Sequence, residues 1–121
     1  MKQLKENLYE GMYILRPTLS DDAREKALSR VVSLIETLGG KHHKTIDFER
    51  RKLAHSIKEA RDGYYYLLYF TLPTSALGEV MHENHLNEDL LRFMHVAIEK
   101  IPEGNKFEFK QVTKEIKKEE R

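Results

Sequence analysis

The chain has no cysteine among its 121 residues, so it has no disulfide, no thiolate metal site and no cysteine nucleophile. That composition suits a reducing compartment. No apolar run approaches the roughly 18 residues of a membrane-spanning helix. The opening Met1-Lys-Gln-Leu-Lys-Glu-Asn7 lacks the apolar core of a signal peptide. The expectation is a soluble cytoplasmic protein with no membrane partner. An excess of charge is also missing: 21 Lys plus Arg stand against 20 Asp plus Glu. Net charge therefore carries no message about nucleic acid, and only its distribution does.

That distribution is uneven. Between Lys41 and Arg61 seven basic residues (Lys41, Lys44, Arg50, Arg51, Lys52, Lys58, Arg61) face three acidic ones (Asp47, Glu49, Glu59), with His42, His43 and His55 among them. The sharpest piece is Glu49-Arg-Arg-Lys-Leu-Ala-His-Ser-Ile-Lys58. Leu53, His55 and Ile57 alternate with Ala54, Ser56 and Lys58, the pattern of a strand. Arg61-Asp-Gly-Tyr-Tyr-Tyr-Leu-Leu-Tyr-Phe70 follows as an aromatic and aliphatic run without helical period. Asp62-Gly63 is the natural turn between them. The reading is a hairpin with one basic strand and one strand apolar on both faces. The latter belongs inside a sheet, covered by the protein's own helices on one side and by a partner on the other.

The remaining elements follow from period and punctuation. Leu8 to Leu15 alternates as a strand that Pro17 ends. Ser20 is a good helix N-cap, and Ala23, Ala27, Leu28, Val31, Leu34, Ile35 and Leu38 recur at helical spacing until Gly39-Gly40. Lys41 to Lys58 is a long strand with a bulge near Phe48-Glu49, and Gly63 to Leu72 is the next strand. Pro73, Thr74 and Ser75 open a short helix with Leu77, Val80 and Met81 inward. Leu86 to Asp89 is a turn, and Leu90 to Ile98 a fourth strand. The order β-α-β-β-α-β with right-handed crossovers gives an α+β, ferredoxin-like fold. Both helices lie on one face of a four-stranded antiparallel sheet, with the first and third strands central. Met12, Ile14 and one set of tyrosines then form an open apolar patch on the other face. Residues 1–102 make one domain, and the charged segment 103–121 a flexible tail.

Catalytic chemistry finds little footing. Arg16-Pro17-Thr18 is no glycine-rich anion loop, and Glu88 and Asp89 are adjacent turn residues rather than an acid/base pair. His82 and His85 stand three apart, but no zinc-type spacing exists. The reading is of no enzyme, no metal, no cofactor and no small-molecule substrate. An RNA-recognition sheet would stack bases on Tyr64, Tyr65, Tyr66 and Tyr69, yet the glycine-aromatic signature of that module is missing.

Several motifs in order identify a family. Tyr9-Glu-Gly-Met-Tyr-Ile-Leu-Arg-Pro17, Leu38-Gly-Gly40, Arg50-Arg-Lys-Leu-Ala54 with Ile57, Arg61-Asp-Gly-Tyr-Tyr65 and Leu86-Asn-Glu-Asp-Leu-Leu-Arg-Phe93 closely resemble the bacterial small-subunit ribosomal protein S-six family. The resemblance covers Leu8 to Ile98. Two positions depart from the family pattern: Glu49 where Gly is usual before the basic motif, and His55 where Tyr is usual. The resemblance implies a ferredoxin-like, non-enzymatic protein of the small ribosomal subunit. It also implies binding to the central domain of small-subunit ribosomal RNA as a heterodimer with ribosomal protein S-eighteen. RNA-binding residues carried over from the motifs are Arg50, Arg51, Lys52 and Arg92; Lys58 and Arg61 join them on charge alone. The competing reading is a ferredoxin-like module that pairs with its own copy as a regulatory or small-ligand-binding dimer.

Overall fold

A computed structural model of the chain describes residues 5–102. The segment expected as a tail, 103–121, lies outside the described residues. The strands are β1 (Glu6–Leu15), β2 (Lys41–Ile57), β3 (Ala60–Pro73) and β4 (Leu90–Ile98). The helices are α1 (Asp21–Thr37) and α2 (Leu77–Leu86), the second preceded by a single 3-10 turn over Thr74–Ala76. All strand pairs are antiparallel and the sheet order is β2-β3-β1-β4. The expected ferredoxin-like architecture is therefore present, with the two most apolar strands in the centre. No helix among the described residues is long and apolar enough to cross a membrane.

Helix α1 has the ends its sequence announces. Ser20 Oγ accepts from the Ala23 amide at 3.2 Å, and Asp21 and Asp22 sit where the helix dipole favours negative charge. At the other end Gly39, at φ +90°, donates to Glu36 O at 3.1 Å, and Gly40 to Ile35 O at 2.8 Å. That is the paired hydrogen-bond closure which makes a left-handed glycine the usual helix stop. Ala27, Val31 and Ile35, four apart, are the residues α1 buries. They meet Tyr9, Tyr13, Leu15, Tyr66, Leu68, Phe70 and Leu72 from the sheet and Val80 from α2. In α2 only part of the expected inner face is inside. Val80 is buried and Leu77 packs on the core, but Met81 is 41% exposed. The short helix has no side-chain cap, and its inward face runs through Leu77, Val80 and the buried Asn84, which leaves Met81 to one side.

The hairpin departs furthest from expectation. Its turn is not Asp62-Gly63 but Lys58-Glu59, both at positive φ (49° and 70°), with Ile57 paired to Ala60. This is a two-residue turn of the kind whose twist suits a hairpin. Asp62 and Gly63 lie inside β3, opposite Lys52 and Arg51. Gly63 marks a close crossing instead: a Cβ there would stand 2.7 Å from Ile14 Cγ2 and 2.9 Å from Leu15 O. Across from it β2 carries the expected bulge, between Asp47 and Arg50, where Glu49 is left-handed at φ 64° and its amide donates to Asp47 Oδ1 at 2.7 Å.

Between these two irregular points the hairpin bends over the end of the helix-free face. Leu53, Ile57 and Ala60 pack on a second cluster of Met12, Ile14, Ile46, Phe48, Tyr65, Leu67, Tyr69 and Leu91. At the tip, Lys58 Nζ reaches Leu90 O on β4, across the width of β3 and β1, at 3.4 Å. The open apolar patch expected from Met12, Ile14 and the tyrosines is thus not open. Each of those side chains is buried, and the cover includes the protein's own arm. Among the described residues the exposed large apolar side chains are Met81, Leu86 and Val96, on α2 and β4.

Candidate nucleic-acid interface

The arm carries most of the basic residues singled out in the sequence, and the strand pleat together with the bulge sorts them. Arg50 is directly opposite Tyr64 and Lys52 opposite Asp62, so both share the face on which Tyr64 and Tyr66 meet the helices. Arg51, opposite Gly63, points to the other face, and its Nε donates to Phe48 O at 2.9 Å. The Arg50-Arg51-Lys52 motif is therefore two exposed cations on one side and one on the other. Lys52 and Arg61 border a shallow depression along the arm with Leu53, Ala54, His55, Ser56 and Asp62. Lys58, at the turn, and Arg92, on β4, border a second depression with His85, Leu90 and Phe93. The six residues thus fall into two groups, one along the arm and one where its tip meets β4.

Arg50 is held by a carboxylate of the facing strand. Asp62 Oδ2 takes its Nε at 2.7 Å, yet the side chain remains 52% exposed. The hydrogen bond to Asp62 raises its pKa further above the ordinary guanidinium value, so the charge is permanent. Its neighbour Tyr64 is half-buried beneath Arg24 of α1, whose Cζ lies 3.8 Å from the ring centroid. Arg24 and Asp62 carry no local signal in the sequence. One is a helix residue that meets the strand only in the folded chain, and the other reads as a turn residue.

The remaining aromatics do not form a platform for bases. Tyr65, Tyr66 and Tyr69 are all buried, and Tyr69 Oη donates to Glu10 Oε2 at 2.8 Å. The histidines are dispersed. His42 Nε2 pairs with Thr45 Oγ1 and His43 Nε2 with Thr71 Oγ1, both at 2.6 Å, while His85 stands edge-on to Phe93. Among the described residues no three His, Asp or Glu side chains converge as metal ligands would. Glu88 and Asp89 occupy the turn before β4, where the Asp89 amide donates to Asn87 Oδ1.

Comparison with known proteins agrees with this geometry. Residues 8–97 match the family model described as ribosomal protein S6. The chain is 50% identical over 110 residues to small ribosomal subunit protein bS6 of Protochlamydia amoebophila, covering 91% of this chain and 95% of that protein. It is likewise 50% identical over 104 residues to bS6 of Chlamydia pneumoniae, covering 85% and 93%. The crystal structure of 30S ribosomal protein S6 from Thermotoga maritima superposes with a TM-score of 0.73 at 25% identity, covering 93% of this chain and 99% of that one. A basic hairpin on a ferredoxin-like sheet and a family match across nearly all the described residues lead to one conclusion: the chain belongs to the ribosomal protein S6 family of the small ribosomal subunit.

Proposed function

We propose that this ribosomal protein binds the central domain of small-subunit ribosomal RNA through the cations of its β2–β3 arm, together with ribosomal protein S18. As a small-subunit component it works on the cytoplasmic ribosome and is not an enzyme. The observation that carries the RNA reading is the arm itself. Arg50, Arg51, Lys52 and Arg61 are exposed on a projecting hairpin whose apolar residues turn inward. Such cations act by displacing counterions from phosphates, and a hairpin held by two irregular backbone points presents them at fixed spacing. Lys58 and Arg92 extend the surface to β4. The S18 partnership is supported by family membership, and we place the folded unit at residues 1–102 with 103–121 as its tail.

The test replaces Arg50, Arg51 and Lys52 together by Ala. Folding should be nearly unchanged, since exposed substitutions shift stability by only about 0.5 kcal/mol each. Binding to central-domain RNA with S18 should weaken, and its log–log salt slope should flatten by about 0.7–0.9 for each phosphate no longer neutralised. Unchanged affinity and slope in the triple variant would leave the arm a merely solvated surface.

A further inference from the structure

We infer that Tyr64, pinned by Arg24, is a positioning residue for Arg50, and that this Arg24–Tyr64–Arg50 relay orients one arm guanidinium for a phosphate before RNA arrives. The inference rests on the RNA reading above and deepens it at one residue. The two ends of the relay differ in kind. Arg24 is the more enclosed cation: its side chain is 17% exposed, Nη1 donates to Leu19 O at 3.0 Å, Nη2 to Asp21 at 2.5 Å and Nε to Tyr66 Oη at 3.3 Å. With its donors committed to the start of α1 and to β3, it serves as a fixed plate against Tyr64. Arg50 is the outward cation, directly across the strand pair from Tyr64, with Cζ 5.9 Å from the ring centroid and Nε on Asp62.

An arginine that grips a phosphate ordinarily gives up much of its rotamer freedom on binding. Here a ring on one side and a carboxylate on the other restrict Arg50 in the free protein, and the ring is itself immobilised from the helix. Less ordering then remains to oppose binding, which is the general source of affinity in a pre-organised site. The alternative is that Arg24 and Tyr64 only fasten α1 to β3. The two differ in whether the effect of Tyr64 passes through Arg50.

The experiment is a double-mutant cycle on the full-length protein, binding a central-domain fragment of small-subunit ribosomal RNA in the presence of S18. Arg50→Ala should weaken binding about 5- to 10-fold and flatten the salt slope by about 0.7–0.9. Tyr64→Leu should weaken it about 3- to 5-fold with the slope unchanged, because the charge is still present but less ordered. Tyr64→Phe, which keeps the ring, should stay within about twofold of the parent. In the Arg50→Ala background Tyr64→Leu should have no further effect. Thermal melts of each variant report folding separately. Additive losses, or Tyr64→Leu binding as the parent does, would overturn the positioning role. So would an inert Arg50→Ala beside a weakened triple variant, which would leave the RNA reading standing. An inert triple variant would remove both.

Discussion

The two faces of the sheet are covered by different means. On one face two helices lie over a layer in which Tyr13, Leu15, Leu68, Phe70 and Leu72 are fully buried. On the other, a layer just as buried at Ile14, Leu67 and Tyr69 is covered in part by half-exposed residues of a bent hairpin, Leu53 and Ile57. The helix-covered face meets its cover over two helices, the longer of them closed at both ends by local hydrogen bonds. The arm relies on a few apolar side chains, three left-handed residues (Glu49, Lys58 and Glu59), a crossing glycine and one long lysine hydrogen bond at its tip. The first cover makes the fold. The second has to fold and also carry exposed cations, so its sequence is a compromise between packing and charge.

The largest expected effect tests this difference directly. Phe70→Ala empties a fully buried site between β1 and the helices and should cost about 3–5 kcal/mol. Leu53→Ala, in the arm, removes a partly buried side chain and should cost about 1 kcal/mol. Denaturant titration of both variants decides it. Equal losses would show that the arm is as integral to the fold as the helix layer.

The helix-covered face also contains a strongly perturbed histidine, and acid should reveal it. His95 Nε2 stands 2.6 Å from Tyr13 Oη, which also accepts from Asn84 Nδ2 at 3.0 Å, and the ring packs among Phe70, Phe93 and Tyr13. Burial lowers its pKa from the usual 6.5 to about 4. Burial likewise pushes the Tyr13 hydroxyl well above its ordinary value, so both partners of this contact are neutral at pH 7. The unfolded chain binds this proton more readily than the folded one. Stability is therefore fully present above pH 6.5 and is lost as pH falls toward 4, by at most about 3 kcal/mol. Stability measured at intervals from pH 7.5 to 4, beside an NMR titration of the His95 ring, checks both sign and window. A ring titrating near 6.5 would mean the helix-covered layer is wetter than its packing shows.

The same contrast explains what could be read from the sequence. The elements of the helix-covered half were legible because each depends on a local device: the Ser20 cap, the Gly39-Gly40 stop, the four-residue spacing of Ala27, Val31 and Ile35. The strand order followed from connection rules and from the two-sided apolar character of β1 and β3. The arm was legible as basic, and its bulge as a break in alternation, but its path was not. Asp62-Gly63 has turn chemistry, yet the fold uses Asp62 as a counter-charge and Gly63 for its lack of a side chain, while Lys58-Glu59 turns without any favoured residue. With two helices covering one face only, the apolar residues of the other face read as a surface for a partner, whereas the arm supplies part of that cover. The pairing of Arg24 with Tyr64 joins residues far apart in sequence and could be seen only in the folded chain.

The smallest expected effect concerns Glu49, where this chain departs from the glycine its family resemblance leads one to expect. A non-glycine residue in the left-handed region is strained by about 1–2 kcal/mol. Glycine relieves that strain but gives back about 0.5–1 kcal/mol through the greater freedom of the unfolded chain. Glu49→Gly should therefore stabilise the protein by about 0.5–1 kcal/mol. It also removes a negative charge beside Arg50 and Arg51, so RNA affinity should rise modestly and most at low salt. Glu49→Gln separates the two effects: it should reproduce the gain in affinity without the gain in stability. If Gln stabilises as much as Gly, the strain lies in charge rather than backbone, and the left-handed bulge is not what sets the arm's bend. If neither changes RNA binding, the Glu49 carboxylate stands away from the phosphates, and its departure from glycine bears on the arm's backbone alone.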